Sequence, residues 1–153
     1  MTRVVIEKSK RLLTVYDPAG AVLLQCRVAL GSVPMGHKLR EGDGRTPEGR
    51  YSLCLKRETG KFGCALGISY PSWEDAKQAA ADGRLEESLL PLFAEAERTK
   101  KRPPWGTALG GEIYIHGGGT DRDWTAGCIA LADGDMARVF ALCQEGDAVL
   151  ILP

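Results

Sequence analysis

Short apolar runs of strand length, separated by turn residues, restrict this chain's fold more than any other feature. Val4 to Glu7, Leu12 to Tyr16 and Val22 to Ala29 follow one another, and Asp17-Pro18-Ala19-Gly20 joins the last two. Proline presets φ for such a turn and glycine supplies a positive φ, so the opening segment predicts an antiparallel meander. Gly31 to Glu48, punctuated by Gly31, Pro34, Gly36, Gly42, Gly44 and Pro47, reads as a long loop, and loops of that length in compact domains are often functional. Strand character returns at Arg50 to Lys56 and Cys64 to Tyr70, then at Glu112 to His116, Gly127 to Leu131 and Asp147 to Leu152.

Helical patterning is confined to two places. Ser72 reads as an N-cap before the acidic pair Glu74 and Asp75, opening a helix to about Ala81. A second helix is expected from Ser88 to about Lys101, with Pro91 tolerated near its first turn and Arg102-Pro103-Pro104 ending it. Asp133 is expected to cap a third helix running to about Cys143. The expected fold is mainly β, a sandwich or barrel-like sheet pair, with a helical excursion at about 72–102 and one helix at about 133–144. At 153 residues it forms a single domain, 1–153, large enough to bury roughly 70% of its unfolded surface without a staple.

Charge and composition exclude several function classes. Lys plus Arg and Asp plus Glu number 20 each, so the broad positive field that favours nucleic acid is missing. The basic group Arg98, Lys100, Lys101 and Arg102 lies beside Glu95 and Glu97 and reads as a solvated helix end. No segment approaches the roughly 18 apolar residues of a membrane span, and the N-terminal apolar run is too short for a secretory signal. Five cysteines without a CxxC pair imply no metal and no organic cofactor. Cys26, Cys54, Cys64 and Cys143 read as small core residues. Free thiols and the absence of a leader in the chain as given lead us to expect a cytoplasmic protein, or a periplasmic one if the chain is trimmed.

The fifth cysteine has a different setting. His116 ends an apolar run, a glycine-rich polar loop follows, and Cys128 stands after Gly127 at the head of another apolar run. A thiol attacks a carbonyl only as thiolate, and a neighbouring imidazole can take its proton. A residue without Cβ before the nucleophile lets successive amides turn toward one point, so Ala126, Gly127 and Cys128 are the expected oxyanion hole. His37, the other histidine, is expected at the surface. On these residues alone, a buried structural cysteine and a satisfied strand-end histidine remain an equal alternative.

Ile115-His116-Gly117 with Trp124-Thr125-Ala126-Gly127-Cys128-Ile129-Ala130-Leu131 resembles the signature of the L,D-transpeptidase catalytic domain, the YkuD family. Gly42-Asp43-Gly44-Arg45-Thr46-Pro47-Glu48-Gly49-Arg50-Tyr51, Leu66-Gly67-Ile68-Ser69-Tyr70-Pro71 and the meander ending in Val28-Ala29-Leu30-Gly31 match as well, so the resemblance spans nearly the whole chain. It implies that Cys128 is acylated, that His116 is its base, and that the Gly117 carbonyl orients the imidazole. The implied partner is a peptidoglycan stem peptide or muropeptide, cut between the L-centre of a diamino acid and D-Ala, and carbapenem acylation is implied too. The sequence departs from many relatives at Ala126, where they carry histidine, and at Ala130, where they carry arginine or asparagine. Arg45, Arg122 and Arg138 are then the candidate partners of a substrate carboxylate, and Tyr70 and Trp124 the candidate groove residues.

Three functions follow. An L,D-carboxypeptidase, passing the acyl group to water in muropeptide recycling, is slightly favoured because no leader is seen. A periplasmic L,D-transpeptidase, passing it to an amine to cross-link peptidoglycan or anchor protein, starts from the same thioester. A non-catalytic peptidoglycan-binding module is the third, disfavoured by an intact His116 and Cys128.

Overall fold

The computed structural model describes residues 1–153. Eight strands follow in the order β1 Arg3–Glu7, β2 Leu12–Tyr16, β3 Val22–Arg27, β4 Gly49–Arg57, β5 Ala65–Ile68, β6 Tyr114–His116, β7 Ile129–Ala130 and β8 Ala148–Leu152. They form one sheet in the order β3-β2-β1-β8-β4-β5-β6-β7. The expected meander is β1 to β3, paired antiparallel, while β8 returns from the far end of the chain to lie parallel to β1.

The barrel-like sheet pair is thus one curled sheet, and β4 belongs to both halves. Its first residues pair with β8, from Gly49 opposite Ile151 to Ser52 opposite Ala148. Its later ones pair with β5, and the register shifts between Leu53 and Leu55. A bulge there bends the strand and carries it from one half-sheet to the other. The curl brings the segment after β3 onto the opposite edge: Ala29 N–H donates to Ala130 O at 2.8 Å, and Ala130 N–H to Ala29 O at 2.9 Å. The outer edge of β7 is thereby covered, which removes one template for aggregation.

Alternation explains the core. Val4, Ile6, Leu13, Val15, Leu66, Ile68, Ile115, Ile129, Val149 and Ile151 point inward, joined by Met136 and Val139 of helix α3 (Asp133–Leu142). The helical excursion comprises α1 (Trp73–Ala81) and α2 (Leu90–Thr99), which pack as a hairpin around Ala76, Ala79, Leu85, Phe93 and Leu109. Ser72 caps α1 as expected, in a reciprocal box with Asp75. Pro91 lies in the first turn of α2, behind a 3-10 turn at Glu87–Leu89.

Two expectations are corrected here. Asp133 does not cap α3: Ala132 holds that position with no side-chain bond, and Asp133 instead accepts the Gly118 N–H at 3.0 Å. His37 is no free surface residue. Its Nδ1 accepts the Glu48 N–H and its Nε2 donates to Asp75, both at 2.8 Å, so it ties the long loop to the start of α1.

Candidate active site

β6 and β7 run parallel, with Ile115 opposite Ile129 and His116 opposite Ala130. The two isoleucines face the core, so alternation sends Tyr114, His116 and Cys128 to the outer face of this strand pair. His116 Nδ1 lies 2.5 Å from Gly117 O. A carbonyl only accepts, so Nδ1 carries the hydrogen and Nε2 is left as the proton acceptor. The turn beyond it is built on glycine: a Cβ on Gly117 would lie 2.5 Å from Asp133 Oδ1, and Gly119 N–H donates to Leu131 O. Phe62, from the β4–β5 turn, stacks on the imidazole at 4.5 Å, and Trp124 meets it edge-on at 5.7 Å.

The cysteine loop is anchored by two side chains that the sequence reading passed over. Arg11 holds Asp123 through Nε and Nη2 at 3.1 and 2.8 Å, and Asp123 also accepts the Leu30 N–H. Burial would raise this carboxyl, but Arg11 and the Leu30 amide outweigh it and hold it below the usual carboxylate range. Thr125 Oγ1 donates to Cys128 O at 2.7 Å and accepts the Gly127 N–H at 3.1 Å, closing a tight turn before the thiol. That turn occupies the Gly127 amide, whereas the Ala126 and Cys128 amides have no partner within the chain.

Cys128 is half-buried. Its Sγ accepts the Tyr114 N–H at 3.4 Å and donates to Glu112 O at 3.5 Å, and no hydrogen bond joins it to His116. Glu112 adopts φ 54°, a left-handed conformation costly for a residue with a side chain, at the carbonyl that receives the thiol. The thiol and imidazole therefore share one face, diagonally across two strands, with the thiol turned toward Glu112. Free enzymes often hold such pairs looser than their substrate complexes do.

Of the other expected residues, Trp124 stands at the site, its Nε1 bonded to Gly119 O. Arg122 is exposed and lines, with Asp121, Phe62, Gly118, Gly119 and Trp124, a cleft of about 390 Å³ beside the imidazole. Arg45 contributes its backbone, since its carbonyl packs against Gly127, while its side chain lies along Gly36. Tyr70 is not a groove residue: it is buried, and its hydroxyl donates to Leu109 O at 2.9 Å. Arg138 is not brought to the site either: it pairs with Asp135 one turn back on α3, and its charge acts on Cys26 rather than on His116 or Cys128.

Burial pushes the Cys128 thiol above its ordinary value, and the Tyr114 amide and the charge of Lys38 pull it part of the way back. Burial likewise lowers His116, against the Gly117 carbonyl. Both shifts favour the neutral thiol and imidazole over an ion pair in the free protein. Burial raises Cys26 to about 12 and Cys54 to about 11, and Cys143 is fully buried. His116 shares the face of Cys128 and can take its proton as the thiol reacts, so iodoacetamide at near-neutral pH is expected to alkylate Cys128 before the other four thiols, and H116A to slow that reaction about tenfold. Peptide mapping checks it; equal labelling of Cys128 and the half-buried Cys64 would count against an activated thiol.

Solved structures resemble the chain over its whole length. The helical cell shape determining protein Pgp2 (K307A mutant) from Campylobacter jejuni superposes with a TM-score of 0.69 at 26% identity, covering 98% of this chain and 46% of that one. Bd1075 from Bdellovibrio bacteriovorus gives 0.63 at 17%, covering 99% and 47%. An L,D-transpeptidase from Mycobacterium smegmatis gives 0.57 at 14%, covering 99% and 58%. The chain thus spans about half the length of the structures it matches. No curated protein sequence matches it. The family model for the L,D-transpeptidase catalytic domain, YkuD, matches residues 1–151, and the chain belongs to that family.

Proposed function

We propose that the chain transfers an acyl group from the L,D peptide bond of a peptidoglycan stem tetrapeptide to Cys128, and from there to water. The observation that carries the reading is the shared face of Cys128 and His116 on β6 and β7, in a chain of this family. A turn of the thiol away from Glu112 O lets Nε2 take the proton as Sγ attacks the carbonyl carbon. The negative oxygen is held by the Ala126 and Cys128 amides, each worth on the order of 3 kcal/mol in the barrier. Gly127 is better described as the hinge of that loop than as a third donor. Collapse of the intermediate breaks the C–N bond, and D-Ala leaves with the proton that His116 returns. Water then attacks the thioester with His116 as base, giving the tripeptide and the free thiol. The same thiol is the expected site of carbapenem acylation.

Water is favoured as acceptor because Ala126 and Ala130 offer no polar side chain beside the thiol to orient an amine. Mass spectrometry of a muropeptide tetrapeptide after incubation tests the choice. Loss of D-Ala supports hydrolysis, and dimers as the main product would make the enzyme a cross-linking transpeptidase.

The depressed pKa of His116 also sets a pH profile. Nε2 must be unprotonated to act as base, so kcat/KM is expected to hold down to about pH 6.5 and to fall below it. The unfolded chain takes up the proton first as pH drops through 6.5, so folding stability declines over the same window, down to the folded pKa. An acid limb with its midpoint above 6.5 would contradict the assignment.

A further inference from the structure

Next to Cys128 the outer face carries a ladder that alternates cation and aromatic ring. Arg57 lies over the Tyr114 ring at 5.4 Å, Tyr114 meets Trp105 edge-on at 5.7 Å, and Arg102 lies over Trp105 at 5.0 Å. The rings are fixed from below. Trp105 Nε1 donates to Tyr70 O at 3.0 Å, and a Cβ on Gly111 would lie 2.3 Å from the indole. A Cβ on Gly67 would touch both Tyr114 and Trp105, at 3.5 and 3.6 Å. Two glycines thus seat the indole close against the backbone.

The ladder's polar groups are left unused. Arg57 and Arg102 are exposed and neither forms an ion pair, in a chain where other arginines do. The Tyr114 hydroxyl is shut off from solvent without a hydrogen-bond partner, although its backbone N–H meets the Cys128 thiol. A guanidinium stacked on a ring keeps its N–H fork free and pre-oriented, the geometry that grips a carboxylate in two places. The nearby acid, Glu112, adds its charge to the burial that raises the Tyr114 phenol but forms no ion pair with either guanidinium.

We infer that Arg57, Tyr114, Trp105 and Arg102 form the platform that binds a carboxylate-bearing donor peptide beside Cys128. The inference rests on the proposed function and adds the residues that choose the donor. A diamino acid with a side-chain carboxylate, such as diaminopimelate, satisfies the platform, and its amidated form lacks the charge.

The test uses full-length C128A protein, so that binding is read without turnover. Calorimetry compares a diaminopimelate tetrapeptide with the same peptide amidated at the side-chain carboxyl. The free acid is expected to bind about tenfold more tightly, and R57Q or R102Q to remove most of that difference. R98Q, on the exposed face of α2 where Arg98 pairs with Glu95, is expected to preserve it. Equal affinity for the two peptides, no binding of either, or a preference that survives both substitutions would overturn the platform. Thioester formation by the unsubstituted enzyme is read separately. Discrimination without a thioester sinks the proposed function and leaves the platform, and a thioester without discrimination does the reverse.

Discussion

Replacing Cys128 with alanine is expected to reduce release of D-Ala from a disaccharide tetrapeptide by on the order of 10⁴-fold or more, the scale on which a nucleophile's loss is felt. The substitution deletes the atom that forms the thioester, and none of the other four thiols can replace it. Cys26, Cys54 and Cys143 are buried, and Cys64 precedes β5 without any partner that would activate it. The fold should barely respond, because the Sγ of Cys128 makes only two weak contacts, with Tyr114 N–H and Glu112 O. A melting temperature within a few degrees of the parent, together with lost turnover, separates chemistry from folding. Full turnover by C128A would remove the nucleophile assignment and revive a binding module. H116A is expected to lose nearly as much, since base and nucleophile act as one unit and their losses do not add.

The sequence carried strand positions well, because alternating apolar residues report which side of a sheet is buried. β2 was legible to the residue, and Ser72 with Asp75 marked the start of α1. Pairing was not legible. Nothing local tells β8 to lie between β1 and β4, or Ala29 to meet Ala130, because these contacts join segments about a hundred residues or more apart and depend on how far the sheet curls. Tyr70 illustrates the limit for the site: an aromatic residue in a recognisable motif is equally suited to a groove and to the core, and its hydroxyl finds Leu109 O inside. Asp133 reads as a cap because Asp is among the preferred N-cap residues, yet here the carboxylate supports the turn after His116. Phe62 was passed over, although a lone aromatic in the polar turn Glu58-Thr59-Gly60-Lys61-Phe62-Gly63 is a signal that the turn folds onto something. The Arg57 and Arg102 stacking was invisible for a different reason, since its four members come from three separated stretches of chain.

Gly127→Ala is the second large effect, and it acts through the backbone. Gly127 has φ +142°, and a Cβ there would lie 2.7 Å from the Arg45 carbonyl oxygen and 3.1 Å from Ile113 Cδ1. The first neighbour is main chain and cannot swing aside. Arg45 is held in turn, because its N–H donates to Asp43, whose carboxylate also takes Lys38 and the Leu39 and Arg40 amides. Gly31 is packed against Gly44 and Gly127 from the other side, so the loop has nowhere to retreat. A forced left-handed residue costs about 1–3 kcal/mol, and the overlap adds to it. A fall in melting temperature of roughly 5–10 °C is expected, at about 2–4 °C per kcal/mol for a domain of this size. Gly20→Ala supplies the comparison, with φ +90° and no atom within 4 Å of the new Cβ, so it pays only the conformational part. G127A should therefore lose clearly more stability than G20A, and its turnover should fall even well below its melting temperature, because Thr125, Cys128 and their amides share the displaced turn. If G127A and G20A melt together and turn over alike, then the close packing of Gly31, Gly44 and Gly127 does not position the thiol.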